Sequence, residues 1–206
     1  MTPARRPIRS RSNAAIQSLA ARLARSSLTP NQVSGASVVF ACVGAVALLF
    51  PGHWLTMLVA IAGIQLRLLC NVLDGLVAVE GGKKSALGSL YNEFPDRIAD
   101  TVLLVAAGYG AGWPIVGWCA ALLAALTAYV RVFGGSLGLE QQFIGPMAKQ
   151  HRMAVLCGGC LICIGEVAAG RVPNGLHLAL VLIAIGSAAT CVTRTRAIAR
   201  SLGGRK

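Results

Sequence analysis

The chain has few acidic residues and little charge of either sign. Only 13% of its 206 residues are charged, and just seven of them are Asp or Glu. A soluble globular domain normally carries about 25% charged residues. This deficit, together with a hydrophobic fraction of 55% and repeated apolar runs, excludes an ordinary soluble domain. We therefore expect an integral membrane protein.

Aromatic residues are also scarce, at 5% of the chain. The net charge of +12 would suggest a nucleic-acid partner if the cations were interleaved with aromatic side chains. Instead, the Lys and Arg residues lie at the ends of apolar segments, which is typical of membrane proteins. We therefore expect no nucleic-acid partner.

Six apolar segments are long enough to span a bilayer as helices. They lie near residues 31–50, 54–79, 88–109, 113–134, 151–169 and 175–193. Breaks rich in glycine and proline, such as Pro51-Gly52, separate them. The sequence predicts an all-α fold with a six-helix transmembrane domain over residues 31–193. Residues 1–30 form a basic N-terminal segment with a juxtamembrane helix, and residues 194–206 form a basic cytoplasmic tail.

The segment before the first span has helical periodicity. Ile16, Leu19 and Leu23 recur on one face, which predicts an amphipathic helix. Such a helix lies either in the membrane interface, with its arginines toward anionic headgroups, or against the protein. Thr29 followed by Pro30 then predicts a helix N-cap and a first helical residue.

Lys and Arg are unevenly distributed among the loops. They concentrate in the N-terminal segment, the second and fourth loops and the C-terminus, whereas the first and third loops have none and the last has only Arg171. The positive-inside rule therefore predicts that both termini and the even loops are cytoplasmic. Two termini on one side require an even number of spans, which six satisfies.

Five of the seven acidic residues lie between Asp74 and Asp100. Ionisable groups within apolar spans are costly and usually mark function. Spacings of three and four residues place the polar groups on one face of each of two helices, near the cytoplasmic end. The positions concerned are Asn71, Asp74, Asn92, Asp96 and Asp100. Two such faces in contact would form an oxygen-rich site for a hard divalent cation such as Mg²⁺ or Mn²⁺.

This window resembles the motif of the CDP-alcohol phosphotransferase family, D-x-x-D-G-x-x-A-R-x₈-G-x-x-x-D-x-x-x-D. The matching positions, with the eight-residue spacing intact, are Asp74, Gly75, Ala78, Gly88 and Asp96. The segment 28–34 is similar to the family's entry to its first span. The resemblance implies a membrane transferase of phospholipid biosynthesis. It would move a phosphatidyl group from a CDP-diacylglycerol-like donor to a hydroxyl acceptor and release CMP.

Three positions depart from the motif. Asn71 and Asn92 stand where the family has Asp, and Val79 stands where it has Arg. In the family, four aspartates hold two divalent ions and the last is the catalytic base. The resemblance therefore implies that Asp74 is a metal ligand and that Asp96 is both ligand and base, with the two asparagines coordinating through neutral oxygens. With two carboxylates fewer, we expect weaker binding of Mg²⁺ or Mn²⁺, with one or two ions.

Other residues near the predicted cytoplasmic face are expected to bind nucleotide or phosphate. They are Gly75, Ala78, Gly88, Lys83, Arg131, Lys149 and Arg152. The two glycines allow close approach of the backbone to a nucleotide or to the facing helix. For Lys149 and Arg152, an equal alternative is that they only fix the orientation of the protein in the membrane, as positive-inside residues. Arg131 lies toward the interior end of its span, a position that indicates a functional role.

Asp100 lies one turn beyond the motif. Arg67 lies on the same helix face as Asn71 and Asp74, and in antiparallel helices both Arg67 and Asp100 are one turn, or ~6 Å, deeper than the site. An unpaired Arg at that depth is expensive, which favours an Arg67–Asp100 ion pair. The alternative is that Asp100 replaces a missing metal ligand.

Two other functions remain open from sequence. One is a catalytically degenerate family member that acts as a lipid-binding or scaffold protein. The other is a small transporter or channel with a cation site, which predicts acidic groups near the bilayer midplane and not at its cytoplasmic end. We also expect contact with membrane lipid and a homodimer.

Overall fold

The computed structural model describes residues 14–82 and 87–204, with the side chains of Glu80, Ser89 and Asn92 left out. This part of the chain forms seven α-helices and no strand. They are α1 (Ala14–Ala24), α2 (Pro30–Leu48), α3 (Trp54–Glu80), α4 (Gly88–Gly110), α5 (Pro114–Ser136), α6 (Lys149–Ala168) and α7 (Gly175–Gly203). The all-α class expected from sequence is confirmed.

Helices α2 to α7 form a closed ring. Each packs on the next in the spatial order α2, α3, α6, α7, α5, α4 and back to α2, while α1 packs on α3. Fully buried side chains from the ring helices, including Leu48, Met57, Leu103, Leu156 and Ile183, form the apolar core. The interior of the ring is therefore where side chains from non-adjacent helices meet.

The chain enters this ring as the sequence predicts. Thr29 is the N-cap of α2 and Pro30 its first residue. The hydroxyl of Thr29 accepts from the Gln32 N–H, and the Gln32 side chain accepts from the Thr29 N–H, which completes a capping box. In α1, Ile16 and Leu23 pack against a small core around Leu73 of α3. The location of α1 in the membrane interface stays a prediction.

Close helix contacts depend on glycine. A Cβ atom on Gly63 of α3 would lie 2.9 Å from the Cα of Gly44 in α2, and one on Gly108 of α4 would lie 2.7 Å from the Cα of Gly117 in α5. No larger residue fits such approaches without moving backbone. Small residues at helix interfaces are typical of membrane bundles, where close packing drives association.

Five of the described helices, α2, α3, α5, α6 and α7, are long and apolar enough to cross a membrane. The third predicted span, 88–109, coincides with α4, which is not among the five. Residues 93–100 of α4 include four charged side chains, Glu93, Asp96, Arg97 and Asp100, so its composition differs from that of an apolar span. The protein is therefore an integral membrane helical protein, whereas the six-span topology stays a prediction.

Helix α7 continues well past the predicted end of its span at residue 193 and runs to Gly203. Arg194 donates to the backbone carbonyls of Ile144 and Thr127, at 2.9 and 2.5 Å. One turn later, Ile198 is buried in close contact with Gly134 of α5. Tertiary contacts thus hold this extension, which hydropathy along the sequence does not reveal.

Candidate active site

The polar residues of the acidic window meet inside the ring, in two layers that lie one turn apart. The inner layer consists of Arg67 from α3, Asp100 from α4 and Arg152 from α6. The outer layer consists of Asn71 and Asp74 from α3, Asp96 from α4 and Lys149 from α6. The same three helices supply both layers.

The inner layer is a closed ionic triad. One carboxylate oxygen of Asp100 accepts from Arg67 Nη2 at 2.5 Å, and the other accepts from Arg152 Nη2 at 2.8 Å. All three residues are at most 2% exposed. The predicted Arg67–Asp100 ion pair is confirmed, and the structure favours it over a metal-ligand role because guanidinium groups occupy both carboxylate oxygens. Sequence reasoning missed Arg152 as the second partner.

Asp96 is the centre of the outer layer. Its Oδ2 lies 2.5 Å from Lys149 Nζ, and its Oδ1 accepts from Asn71 Nδ2 at 2.7 Å. Arg67 of the inner layer lies 3.6 Å from the same Oδ1. Asp96 and Lys149 remain partly exposed, with side-chain exposures of 15% and 23%. Asp96 and Lys149 are therefore accessible to small molecules, unlike the Asp100 carboxylate of the inner layer.

Asp74 is 4% exposed and has a different partner. Its Oδ2 accepts from the Ser34 hydroxyl at 2.6 Å. No Lys or Arg of the described residues forms an ion pair with it, so it is a buried carboxylate held by a neutral group. Ser34 was not predicted as a site residue, although it belongs to the segment 28–34 that resembles the family's entry to the first span.

A cavity of about 180 Å³ opens beside Asp96, with walls from α4, α5, α6 and α7. Five cations and two acids line it: Arg97, Arg131, Lys149, Arg152, Arg194, Glu93 and Asp96. Arg131 donates to Glu93 and to Gln141, and it lies 5.2 Å from the centre of the Phe143 ring. The lining is strongly cationic, and three of its residues (Arg97, Arg194 and Glu93) were not singled out as site residues from sequence.

A second cavity, of about 300 Å³, lies on the other side of Lys149. Its lining comes from α1, α3 and α6 and is largely apolar: Ile16, Gln65, Leu68, Leu69, Asn71, Val72, Lys149 and Gln150. Lys149 and Gln150 line both cavities. Lys149, beside Asp96, therefore stands between a cationic chamber and an apolar one.

The remaining predicted site residues lie around these layers. Gly75 and Ala78 are half-buried in the last two turns of α3, and Gly88 is the first residue of α4. Lys83 lies outside the described residues, and so does the side chain of Asn92, whose backbone is in α4. Their roles stay predictions.

The side chains of the site limit which ions it can bind. Within residues 14–82 and 87–204, no group of three or more His, Cys, Asp or Glu side chains is arranged to hold a metal ion. The described oxygen donors are the carboxylates of Asp74 and Asp96 and the amide oxygen of Asn71. Asn71 donates to Asp96 through its nitrogen, so its oxygen stays available. Such hard oxygen donors suit Mg²⁺ or Mn²⁺.

Comparisons with known proteins identify relatives of this chain. No protein-family model matches the chain. An archaetidylinositol phosphate synthase from Aeropyrum pernix is 35% identical to it over 135 residues, which cover 65% of this chain and 67% of that protein.

Solved structures share the fold. The phosphatidylinositol phosphate synthase of Mycobacterium tuberculosis with CDP-DAG bound has a TM-score of 0.76 at 20% identity, covering 90% of this chain and 94% of that one. The same enzyme in complex with manganese and citrate also has a TM-score of 0.76 at 20% identity, covering 89% and 88%. The sequence relative, the fold and the motif agree: the chain belongs to the CDP-alcohol phosphotransferase family, membrane transferases of phospholipid biosynthesis.

Proposed function

We propose that this chain transfers a phosphatidyl group from a CDP-linked lipid to the hydroxyl of a phosphorylated acceptor and releases CMP. The observation that carries the proposal is the cationic cavity beside Asp96, whose wall has five cations against two acids. A carboxylate next to an excess of positive charge suits an acceptor that presents both a hydroxyl and a phosphate group. Both named relatives are synthases of an inositol phosphate lipid, so an inositol phosphate is the first acceptor to test.

The donor fits the opposite side of Lys149. Ile, Leu and Val supply four of the eight residues that line the second cavity, and Asn71 and Lys149 are among the others. An apolar chamber that ends at polar groups suits a lipid whose tails are apolar and whose head is an anionic pyrophosphate. CDP-DAG, which the structural neighbour binds, has this character. Donor and acceptor would then meet at Lys149 and Asp96.

The proposed reaction requires little covalent chemistry from the protein itself. Asp96 lines the cationic cavity, which we call the acceptor cavity, and would take the proton of the acceptor hydroxyl. The acceptor oxygen bonds to the lipid-bearing phosphorus, the bond from that phosphorus to the bridging oxygen breaks, and CMP leaves with that oxygen. A divalent ion on Asp74, Asp96 and Asn71 would supply charge neutralisation at the pyrophosphate. Lys149 would hold phosphate oxygens as a point charge.

Charge distribution supports an orientation with the site near the cytoplasmic face. The outer layer lies in the C-terminal half of α3, the N-terminal half of α4 and the first residue of α6, toward the loops that the positive-inside rule assigns to the cytoplasm. We propose that both termini are cytoplasmic and that six helices cross the membrane, with α4 covered by its neighbours α2 and α5.

The proposal is tested by CMP release from purified protein in detergent. CDP-diacylglycerol and Mg²⁺ or Mn²⁺ are supplied with paired acceptors: inositol phosphate against inositol, and glycerol phosphate against glycerol. We expect release with a phosphorylated acceptor and little with its unphosphorylated partner. Release that prefers the unphosphorylated alcohols would refute the acceptor class. No release with any acceptor, in protein that still binds CDP-diacylglycerol, would favour a degenerate lipid-binding member.

A further inference from the structure

The counter-ions of the two outer-layer carboxylates differ, which bears on how many metal ions this site takes. Asp96 already has a cation of the protein against it, the Lys149 ammonium at 2.5 Å. Asp74 is nearly as buried as the inner layer, and within the described residues its hydrogen-bond donors are neutral groups, the Ser34 hydroxyl and the Gly75 backbone N–H. A carboxylate in low dielectric requires a nearby positive charge far more than an exposed one does.

Asn71 stabilises Asp96 without a metal ion between them. Its amide nitrogen donates to Asp96 Oδ1 at 2.7 Å. An aspartate at this position could not donate this bond, and its charge would repel Asp96 unless a cation lay between the two. The asparagine therefore removes the need for a second metal ion on this side of the site.

The charge balance of both layers points the same way. Together they hold three carboxylates, Asp74, Asp96 and Asp100, and three cations, Arg67, Lys149 and Arg152. One divalent ion would leave an excess of two positive charges, which the pyrophosphate of the donor can neutralise. A second would leave a buried excess of four positive charges, which low dielectric penalises strongly.

We propose that Lys149 is a built-in counter-ion for Asp96, so that the site takes a single divalent ion, held mainly by Asp74. This departs from the two ions that the family motif implies. The inference rests on the proposed function for the location of the site, but ion binding is measurable without turnover. It also assigns Lys149 a role beyond contact with phosphate, since it keeps a second ion away from Asp96.

The test counts bound Mn²⁺ by electron paramagnetic resonance, using the full chain in detergent micelles without substrate. We expect one ion per chain in the natural protein. In the double variant Asn71→Asp/Lys149→Gln, a new carboxylate replaces the amide and the ammonium is gone, so we expect two. The matched control is Asn71→Asp/Arg97→Gln, which removes a different cation, 3.8 Å from Asp96 Oδ2. The control should still bind one.

Size-exclusion and thermal unfolding profiles check that each variant is folded, and Lys149→Met is used if the glutamine variant is not. Two ions in the natural protein, none at all, a double variant that stays at one, or a control that gains a second would each overturn the inference. Failure of the proposed function looks different: one bound ion, but no CMP release with any acceptor. Two bound ions with normal CMP release would defeat only the single-ion inference.

Discussion

Asp96 and Asp100 lie one turn apart on α4, yet the two layers they centre differ in partners and in access. Asp100 is enclosed by two guanidinium groups and is 2% exposed. Asp96 contacts the Lys149 ammonium and the Asn71 amide at hydrogen-bond distance, with Arg67 and Arg97 at 3.6 and 3.8 Å, and its side chain is 15% exposed at the wall of a cavity. A closed triad with every carboxylate oxygen occupied joins helices, whereas a partly exposed carboxylate between two chambers can meet substrates. We therefore propose that the inner layer contributes stability and that the outer layer carries the chemistry.

Asp74→Asn tests the outer layer and should have a large effect on activity. The substitution keeps the shape of the side chain but removes the buried charge that would hold the divalent ion. We expect CMP release to fall by at least ~100-fold, with an unfolding temperature close to that of the natural protein. The matched control is Ser34→Ala, which removes the hydrogen bond but leaves the carboxylate, so it should cost about tenfold or less. Half or more of the natural activity in Asp74→Asn would contradict a functional outer layer.

Asp100→Leu tests the inner layer. It leaves Arg67 and Arg152 buried without their carboxylate, which should cost ~3–5 kcal/mol of unfolding free energy. Arg67→Leu should cost less, because Asp100 keeps Arg152. The measurement is reversible unfolding in mixed detergent micelles.

The triad also determines how much of the lost stability is regained when Arg67 and Asp100 are both replaced. Arg67→Leu/Asp100→Leu should regain only part of the loss, since Arg152 stays without its partner, and adding Arg152→Leu should regain more. This sharpens the prediction from a simple ion pair, in which the double variant alone recovers most of the stability. Equal losses in Arg67→Leu and Asp100→Leu, with full recovery in the double variant, would show that Arg152 contributes nothing.

Arg131→Gln gives the smallest of these effects and tests the acceptor cavity. Arg131 lines that cavity next to Glu93 and Phe143. Loss of a charged hydrogen-bond donor to phosphate should raise the KM for a phosphorylated acceptor about tenfold and leave kcat nearly unchanged. Arg171→Gln, in the exposed loop before α7, is the control and should change neither. An Arg131→Gln variant with an unchanged KM would remove this residue from the acceptor site.

The sequence predicted much of this fold because local signals are strong in it. Hydropathy located six helices to within a few residues at most boundaries, and the Thr29 cap follows from capping chemistry. The residue spacing along α3 and α4 was enough to predict the contact between Arg67 and Asp100.

The rest depends on contacts between distant helices. Periodicity shows which face of a helix is polar, but it does not show which neighbour that face meets. Arg152 and Lys149 reach Asp100 and Asp96 from α6, which follows α4 only after the whole of α5. Their identification as ion-pair partners therefore needed the ring order of the helices. The roles of the site residues stay predictions, which come from the motif for Gly75 and Asn92 and from a position in a basic loop for Lys83.

The most direct test compares Asp96→Asn with Asp100→Asn, two isosteric changes one turn apart on α4, by measuring CMP release and unfolding temperature on the same preparations. We predict that Asp96→Asn abolishes CMP release while its unfolding temperature stays close to the natural value. Asp100→Asn should lower the unfolding temperature clearly while the protein that remains folded still releases CMP. An active Asp96→Asn variant, or an Asp100→Asn variant that is inactive but fully stable, would contradict the separation of the two layers.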